Sequence, residues 1–309
     1  MDVGTTSSNA RPCPACGRAR GESRGQKNEF ELLACQSCAT LYTDHLPSVD
    51  QPQDYDSYYS SENLTVPTAI QRRLDEIVAT FDSYRRNNRL LDVGFGAGTF
   101  LEAAARGKWQ AFGVEVSHTA VEHVRDRGFQ LFCGELGKAG YPDDYFDVII
   151  ASEVLEHVPY PQALLEDIAR VLRPGGLLWA TTPHGRGISA RLLGLSWSNV
   201  CPPEHLQLFS VASIKELLPG AGFRRVEVAT HGTNPFELLH SMRRRVTGAA
   251  QENGSGARDG DESFNRVKSS YQLNEFLSDS PFRRFLKATL NSLLNTGRMG
   301  DSLKIRAEK

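Results

Sequence analysis

The stretch that most constrains this chain is an apolar strand that passes through a glycine turn into a helix, Leu90-Leu91-Asp92-Val93-Gly94-Phe95-Gly96-Ala97-Gly98-Thr99-Phe100-Leu101. Glycines in such a turn let the backbone approach a ligand closely, because a Cβ there would collide with it. Glu115 ends the next apolar strand, where its carboxylate can accept hydrogen bonds from both hydroxyls of a ribose. These features predict a nucleoside-bearing ligand at the carboxyl edge of a parallel sheet.

Two residues of the turn distinguish between nucleoside cofactors. A dinucleotide fingerprint uses a third small residue for helix packing, and Thr99 stands in that place here. Asp92, two residues before the first glycine, would repel a pyrophosphate but suits a cationic or amine-bearing ligand. S-adenosylmethionine carries an ammonium, a sulfonium and a ribose without any phosphate. The turn therefore favours S-adenosylmethionine over NAD.

Three further stretches complete a resemblance to the class I S-adenosylmethionine-dependent methyltransferases. Residues 90–101 resemble the first motif of that family, residues 143–158 its fourth-strand motif and residues 170–178 its turn into strand five. The resemblance covers roughly residues 85–230 and implies an α/β fold with a doubly wound, mostly parallel, seven-stranded Rossmann-like sheet. It implies these cofactor-binding residues: Asp92, Gly94, Phe95, Gly96, Gly98, Glu115, Val116, Glu135, Leu136, Ser152 and Glu153. Glu135 stands where relatives commonly have Asp.

Composition bounds the partners and the compartment. The chain has 309 residues, 40% of them hydrophobic, and a formal net charge of −2, which argues against a nucleic acid as the main target. The sequence contains no apolar run near the ~20 residues of a membrane helix, and residues 1–9 are polar. Six cysteines without a secretory leader predict a reducing cytoplasm, where cysteines bind metal more often than they form disulfides.

Four of the cysteines form two pairs at the spacing of a zinc ribbon. Cys13, Cys16, Cys35 and Cys38 read C-x₂-C-x₁₈-C-x₂-C, which suits tetrahedral Zn²⁺ bound by four thiolates. Because protein fills every coordination position, we expect this zinc to be structural. The ribbon and the tyrosines after it resemble a bacterial group of methyltransferases that act on sugars, glycans or other small metabolites. That resemblance implies either that Tyr58 or Tyr59 lies over the cofactor or that both pack the ribbon on the main domain.

The remaining sequence predicts a division into segments. We expect a disordered start at 1–10, the zinc ribbon at 11–46, a linker and helix capping the cofactor site at 47–86, the methyltransferase core at 87–235, a helical insertion or lid at 236–298, and a last antiparallel strand at 299–309. Within the core, periodicity predicts strands near 89–93, 112–116, 129–133, 146–151, 176–182 and 224–230, and helices near 98–106, 119–127, 161–172 and 211–221. Residues 66–86 carry a helical pattern, and 301–309 alternate like an edge strand.

Candidates for acceptor chemistry lie after the fourth and fifth strands. Methyl transfer to a hydroxyl or carbon acid needs a base, and His205 beside Glu204 has the required chemistry. The surrounding stretch resembles one in sugar C-methyltransferases, where a Glu-His pair is implicated in proton removal. Glu153, Glu156 and His157 fall at i, i+3 and i+4, so they can hold a divalent metal, place His157 beside the substrate, or only pack the start of a helix.

The predicted partner is a small-molecule acceptor such as a sugar, a glycan or a lipid-linked metabolite. The basic residues at 243–245 and 283–287 indicate either a phosphate-bearing substrate or membrane surface, or a solvated helix face on a lid. Three other functions stay open: a zinc-ribbon RNA methyltransferase, an NAD-dependent sugar dehydrogenase, and a scaffold that keeps the fold without catalysis. The sequence does not choose between O-, C- and N-methylation.

Overall fold

The structure, a computed structural model, describes residues 11–19, 21–48, 56, 68–235, 237–239 and 281–309, with the backbone alone at 68–69 and 281–288. The strands among these residues are β1 Glu22–Lys27, β2 Phe30–Ala34, β3 Leu41–Thr43, β4 Arg89–Val93, β5 Gln110–Glu115, β6 Gln130–Cys133, β7 Phe146–Ser152, β8 Leu172–Pro183, β9 Gln207–Leu208, β10 Arg224–His231 and β11 Ser302–Glu308. The α-helices are α1 Thr68–Ala79, α2 Thr99–Arg106, α3 His118–Val124, α4 Pro161–Val171, α5 Ile188–Leu193, α6 Val211–Gly220 and α7 Pro281–Thr296.

Seven strands form one mixed sheet in the order β10-β11-β8-β7-β4-β5-β6. The five strands from β8 to β6 are parallel, whereas β11 is antiparallel to both of its neighbours. This is the doubly wound seven-stranded sheet that the sequence predicts. Parallel strands need crossover connections, and here α2, α3 and α4 supply them.

Two hydrophobic cores lie on opposite faces of the sheet, as the alternation of side chains along each strand requires. Leu91 of β4 packs in a core with α4 and α6, while its neighbour Leu90 packs in a second core with α1 and α2. Because β4 is covered on both faces, its residues Leu90, Leu91 and Val93 are apolar and buried, and Asp92 is a buried acid among them. The carboxyl ends of β4, β5 and β7 therefore meet at one buried edge of the sheet.

The cysteine ribbon forms a second sheet together with a strand from the core. This sheet has the order β1-β2-β3-β9, and β3 pairs antiparallel with β9, which lies about 165 residues further along the chain. Neither the ribbon strands nor β9 was predicted from the sequence. A two-residue strand such as Gln207–Leu208 leaves no period that a sequence could reveal, since only its partner makes it a strand.

The last strand is antiparallel, as expected, and it lies inside the sheet between β10 and β8, although its alternating pattern taken alone resembles that of an edge strand. Two helix predictions need correction. The helix expected near 119–127 ends at Val124 and continues as a 3₁₀ turn over Arg125–Arg127. The helix expected over 66–86 spans Thr68–Ala79 and is followed by a 3₁₀ turn at Asp82–Tyr84. In the two helical cases a 3₁₀ turn follows the α-helix, which is common at helix ends.

Some predictions fall on residues that the structure does not describe. These are the disordered start at 1–10, the tyrosines 58 and 59, the basic run at 243–245, and most of the insertion at 236–298. The side chains at 283–287 also lie outside the described set. Within the described part of the chain, no helix combines the length and the apolar character that crossing a bilayer requires.

Candidate active site

The glycine turn connects β4 to α2 in a conformation that side chains rarely adopt. Gly94, Gly96 and Gly98 have φ values of +70°, +50° and +74°. A Cβ on Gly94 would lie 2.6 Å from Cγ2 of Val154, and a Cβ on Gly98 would lie 2.6 Å from Cγ1 of Val124. The turn thus needs glycine for backbone conformation and for space, as the sequence indicates. Its backbone lies at the carboxyl edge of the sheet.

Glu115, the predicted ribose-binding acid, is buried at the end of β5 and faces this turn. Its Oε2 accepts a hydrogen bond from Gly96 N at 3.0 Å, and its Oε1 accepts from Val116 N at 2.8 Å and from Ser117 N at 3.0 Å. Three backbone donors therefore fix the orientation of one carboxylate. Val116, the next residue, is a 44% exposed apolar side chain beside it, which suits a flat apolar ring.

Asp92 lies on the neighbouring strand, paired in register with Gly113 of β5, and is fully buried. Burial, and secondly the charge of Glu115, raise the pKa of the Asp92 carboxyl well above its ordinary value. A buried acid in this state favours any ligand that brings a positive charge to it, because the charge compensates the lost hydration of the carboxylate. This electrostatic environment fits the cationic cofactor that the sequence favours.

Three other predicted cofactor residues differ in exposure: Phe95 and Leu136 are buried, and Glu135 is exposed. The side chain of Phe95 packs in the core against the backbone of Gly113, so the residue presents only its backbone at the turn. Leu136 is buried in the core of the opposite face. The carboxylate of Glu135 is 69% exposed and pairs with Lys138 Nζ at 2.9 Å. The roles assigned to these residues toward a cofactor stay predictions.

Ser152, the last residue of β7, and Glu153 precede the turn that carries His157. Ser152 Oγ lies 2.9 Å from Thr181 Oγ1 of β8, and Glu153 N donates to Thr181 O at 2.9 Å. Glu153 has a φ of +56°, an uncommon conformation for a residue with a side chain. Such a conformation is retained where the surrounding contacts impose it, which is frequent at functional sites.

His157 and His205 lie against each other, although 47 residues separate them in sequence. Their rings meet edge to face with centroids 4.7 Å apart. Nδ1 of His157 lies 2.8 Å from Glu204 O, and Nδ1 of His205 lies 2.7 Å from Asn199 O. Since a carbonyl only accepts, each Nδ1 carries a proton, and in the neutral form of each ring Nε2 therefore carries the basic lone pair. The side chain of Glu204 is exposed, and its backbone carbonyl contacts His157.

Glu156 lies beneath the two histidines and is fully buried. Its Oε2 accepts a hydrogen bond from Thr182 Oγ1 at 2.9 Å, and its Oε1 lies 3.9 Å from His157 Nε2. Burial and the neighbouring charge of Glu153 raise the pKa of Glu156 well above its ordinary value. Ionisation of this carboxyl is therefore costly, and a positive charge on the nearby imidazole would offset that cost.

The cluster of Glu156, His157 and His205 could also hold a divalent cation. One ligand atom from each lies within 4.8 Å of the others. The spacing in the sequence suggests Glu153 as the third ligand, whereas the spatial cluster contains His205 instead. One carboxylate and two imidazoles form a donor set that suits zinc, iron or manganese better than it suits calcium.

The four ribbon cysteines converge as their spacing predicts. Their sulfurs all lie within 4.8 Å of one another, with Cys13 Sγ 3.5 Å from Cys38 Sγ and Cys16 Sγ 3.5 Å from Cys35 Sγ. Four thiolates arranged tetrahedrally at about 2.3 Å from Zn²⁺ would lie about 3.8 Å apart. The cluster therefore fits a zinc ion with every ligand supplied by protein. Three of the four cysteines are buried.

Sequence reasoning missed two residues beside the site. Asp56, in the linker after the ribbon, accepts hydrogen bonds through Oδ1 from Ser117 Oγ at 2.6 Å and Thr119 N at 3.0 Å. Asp56 therefore lies close to Glu115, since Ser117 contacts both acids. Gln207, in the stretch after His205, is 1% exposed and bonds to the turn that carries His157. No motif distinguishes either residue, because each contact joins segments distant in sequence.

The glycine turn and both histidines lie within a segment that matches a known protein family. A family model described as a methyltransferase domain matches residues 65–228, more than half of the chain. The chain is 32% identical over 114 residues to the ubiquinone biosynthesis O-methyltransferase of Methylococcus capsulatus, covering 35% of this chain and 48% of that protein. It is 32% identical over 130 residues to the 27-O-demethylrifamycin SV methyltransferase of Amycolatopsis mediterranei, covering 39% of this chain and 47% of that protein.

The chain thus spans about half the length of these curated relatives. Among solved structures, a SAM dependent methyltransferase from Archaeoglobus fulgidus superimposes with a TM-score of 0.52 at 17% identity, over 83% of this chain and 100% of that one. This likeness shows a shared fold.

Proposed function

The chain belongs to the family of methyltransferase domains, and on that premise we propose that it transfers a methyl group from S-adenosylmethionine to a small molecule. The observation that carries the proposal is the glycine turn with Glu115 fixed against it. A buried carboxylate held by three backbone N–H groups, next to a left-handed glycine backbone, fits a ribose and a close ligand approach. Asp92 adds a preference for a cation.

We infer that the acceptor atom is a hydroxyl oxygen or a carbon, with oxygen favoured. The names of both curated relatives refer to methylation at oxygen, which supports this order. The acceptor class in this proposal is a sugar, a glycan or a lipid-linked metabolite, and the ribbon resemblance supports the first two. We place the enzyme in the cytoplasm, with zinc in the ribbon, because its six cysteines suit a reducing compartment.

The histidine pair gives the site a base. When bound, S-adenosylmethionine supplies an electrophilic methyl group on a sulfonium. In our proposal Nε2 of His205 or of His157 accepts the acceptor proton, since the carbonyls of Asn199 and Glu204 hold the other nitrogen of each ring protonated. Glu156 then lies close enough to stabilise the imidazolium of His157. We assign Glu204 a positioning role through its backbone.

Calorimetric titration of the purified chain with S-adenosylmethionine tests the proposal, with NAD as the control ligand. We expect micromolar binding of the first and none of the second. The same titration with Mn²⁺ or Mg²⁺ present distinguishes a metal at Glu156, His157 and His205 from a metal-free base. If neither nucleoside ligand binds, the proposed function is wrong or the site forms only with its acceptor.

The alternative functions have their own tests. An RNA methyltransferase would show a salt-sensitive gel shift with structured RNA, yet the net charge of −2 disfavours it. An NAD-dependent sugar dehydrogenase would bind nicotinamide cofactors, which Asp92 disfavours. A scaffold would bind cofactor without turning over any acceptor.

A further inference from the structure

The cysteine ribbon is attached to the segment that carries His205. Strand β3 of the ribbon pairs with β9, with Leu41 opposite Leu208 and Tyr42 opposite Gln207. A separate hydrophobic core joins the ribbon to the stretch before His205, and its buried members are Phe30, Leu32, Leu193, Trp197, Val200 and Leu208. The ribbon therefore packs directly against the segment that follows β8 and is not joined to the core by a flexible linker alone.

Arg11, two residues before the first zinc-ligand candidate, makes the central polar contact of this junction. Its Nη2 donates to Leu206 O at 2.7 Å and to Gln207 Oε1 at 3.1 Å, while its Nε donates to Thr43 O at 2.8 Å. A guanidinium has only donors, so Arg11 can bind the oxygen of the Gln207 amide but not its NH₂ group. Arg11 thus holds the amide oxygen of Gln207 toward the ribbon.

Because Arg11 binds Oε1 of Gln207, the amide nitrogen of Gln207 faces the turn that carries His157. Nε2 of Gln207 donates to Leu155 O at 2.7 Å and to Val158 O at 2.8 Å, which uses both of its hydrogens. The backbone adds a third connection, since Leu206 N donates to Glu156 O at 2.9 Å. These bonds enclose the turn at residues 155–158, in which His157 lies.

The contacts form one continuous path from the ribbon to both histidines. His205 directly precedes Leu206, which Arg11 binds, and His157 lies between the two carbonyls that Gln207 binds. The Gln207 side chain is hydrogen-bonded both to Arg11 of the ribbon and to the 155–158 turn. A displacement of Gln207 would therefore move the two rings relative to each other.

We propose that Arg11 and Gln207 are positioning residues that hold His157 and His205 in register for proton removal, so that the cysteine ribbon supports catalysis rather than substrate binding alone. The proposal rests on the proposed function, because it assigns the histidine pair a role in methyl transfer. The geometric part, that Arg11 and Gln207 set the ring contact, is testable without any acceptor.

The test is the inter-ring nuclear Overhauser effect between His157 and His205 in the full-length protein carrying ¹³C-labelled histidine, with assignment by single His→Gln variants. We compare Arg11→Met and Gln207→Met with the matched control Arg18→Met. Arg18 is also a ribbon arginine, but it forms an exposed ion pair with Glu216 at 3.3 Å. We expect both test variants to lose the cross-peak while the control keeps it, with metal content and S-adenosylmethionine affinity unchanged in all three.

Once an acceptor is known, kcat should fall about ten- to a hundredfold in the two test variants while KM for S-adenosylmethionine stays within about twofold. If Arg11→Met does not fold, Gln207→Met decides, since it leaves the bonds from Arg11 to Leu206 O and Thr43 O in place. Cross-peaks that persist in a folded Gln207→Met variant would overturn the proposal. If the wild type shows the cross-peak but binds no S-adenosylmethionine, the proposed function fails while the positioning result stands.

Discussion

Replacing Glu115 with Gln tests the cofactor site through one atom. The substitution keeps the size of the side chain but turns one oxygen into an NH₂ group. If the remaining oxygen keeps the place of Oε1, it still accepts from Val116 N and Ser117 N. The new NH₂ group then faces Gly96 N, where the carboxylate accepts a hydrogen bond at 3.0 Å, so two donors meet in a buried place.

The two expected magnitudes follow from this geometry. One mismatched buried donor pair costs about 1–3 kcal/mol of folding free energy. The loss of the charge-assisted bonds to the ribose costs about 2 kcal/mol of binding free energy, which is about a 30-fold rise in Kd. Urea denaturation measures the first quantity and titration calorimetry with S-adenosylmethionine measures the second.

Glu122→Gln is the matched control, since Glu122 is a half-exposed acid on α3 that pairs with Arg125. We expect it to change neither quantity by more than the error of the measurement, because exposed ion pairs contribute little. A folded Glu115→Gln variant whose affinity for S-adenosylmethionine stays within about twofold of the wild type would refute the assignment of Glu115 to the ribose.

Four further outcomes follow from the same structure. Gly98→Ala should destabilise the fold by at least about 2 kcal/mol, because φ is +74° and the new methyl would meet Val124; an unchanged denaturation midpoint would contradict this. Chelation of the ribbon metal should make residues 11–46 sensitive to protease, as limited proteolysis with mass spectrometry can show, whereas continued protection would argue against a metal-dependent ribbon. His205→Ala should lower turnover about a hundredfold or more while S-adenosylmethionine affinity stays within about twofold, and a variant with normal turnover would place the base elsewhere. Burial raises the pKa of Asp92 in the ligand-free protein, and a bound cation lowers that pKa again, so cofactor binding should release a proton. The affinity for S-adenosylmethionine should therefore rise with pH until the pH exceeds the pKa of Asp92 in the ligand-free protein. Calorimetry in buffers of different ionisation enthalpy measures the proton release, and a binding heat that does not depend on the buffer would exclude it.

The predicted strands and helices of the sheet agree closely with the observed ones because their periods are local. Strand β4 at Arg89–Val93 and helix α4 at Pro161–Val171 each carry their hydrophobic pattern within one segment. Strand β9 carries none, because its two residues become a strand only by pairing with β3. The same reason explains β11, whose alternating pattern resembles an edge strand although the chain inserts it between two neighbours.

The sequence by itself determined the glycine turn, the acid that ends β5 and the four-cysteine cluster, because in each case the spacing along the chain carries the chemistry. The tertiary structure alone decided that His157 meets His205, that His205 rather than Glu153 completes the cluster with Glu156, and that Arg11 reaches Gln207. These contacts join segments as far as 196 residues apart, and the backbone carbonyls of Glu204 and Asn199 orient the two rings. Any residue can supply a carbonyl, so no pattern of residue types marks such a contact before the chain folds.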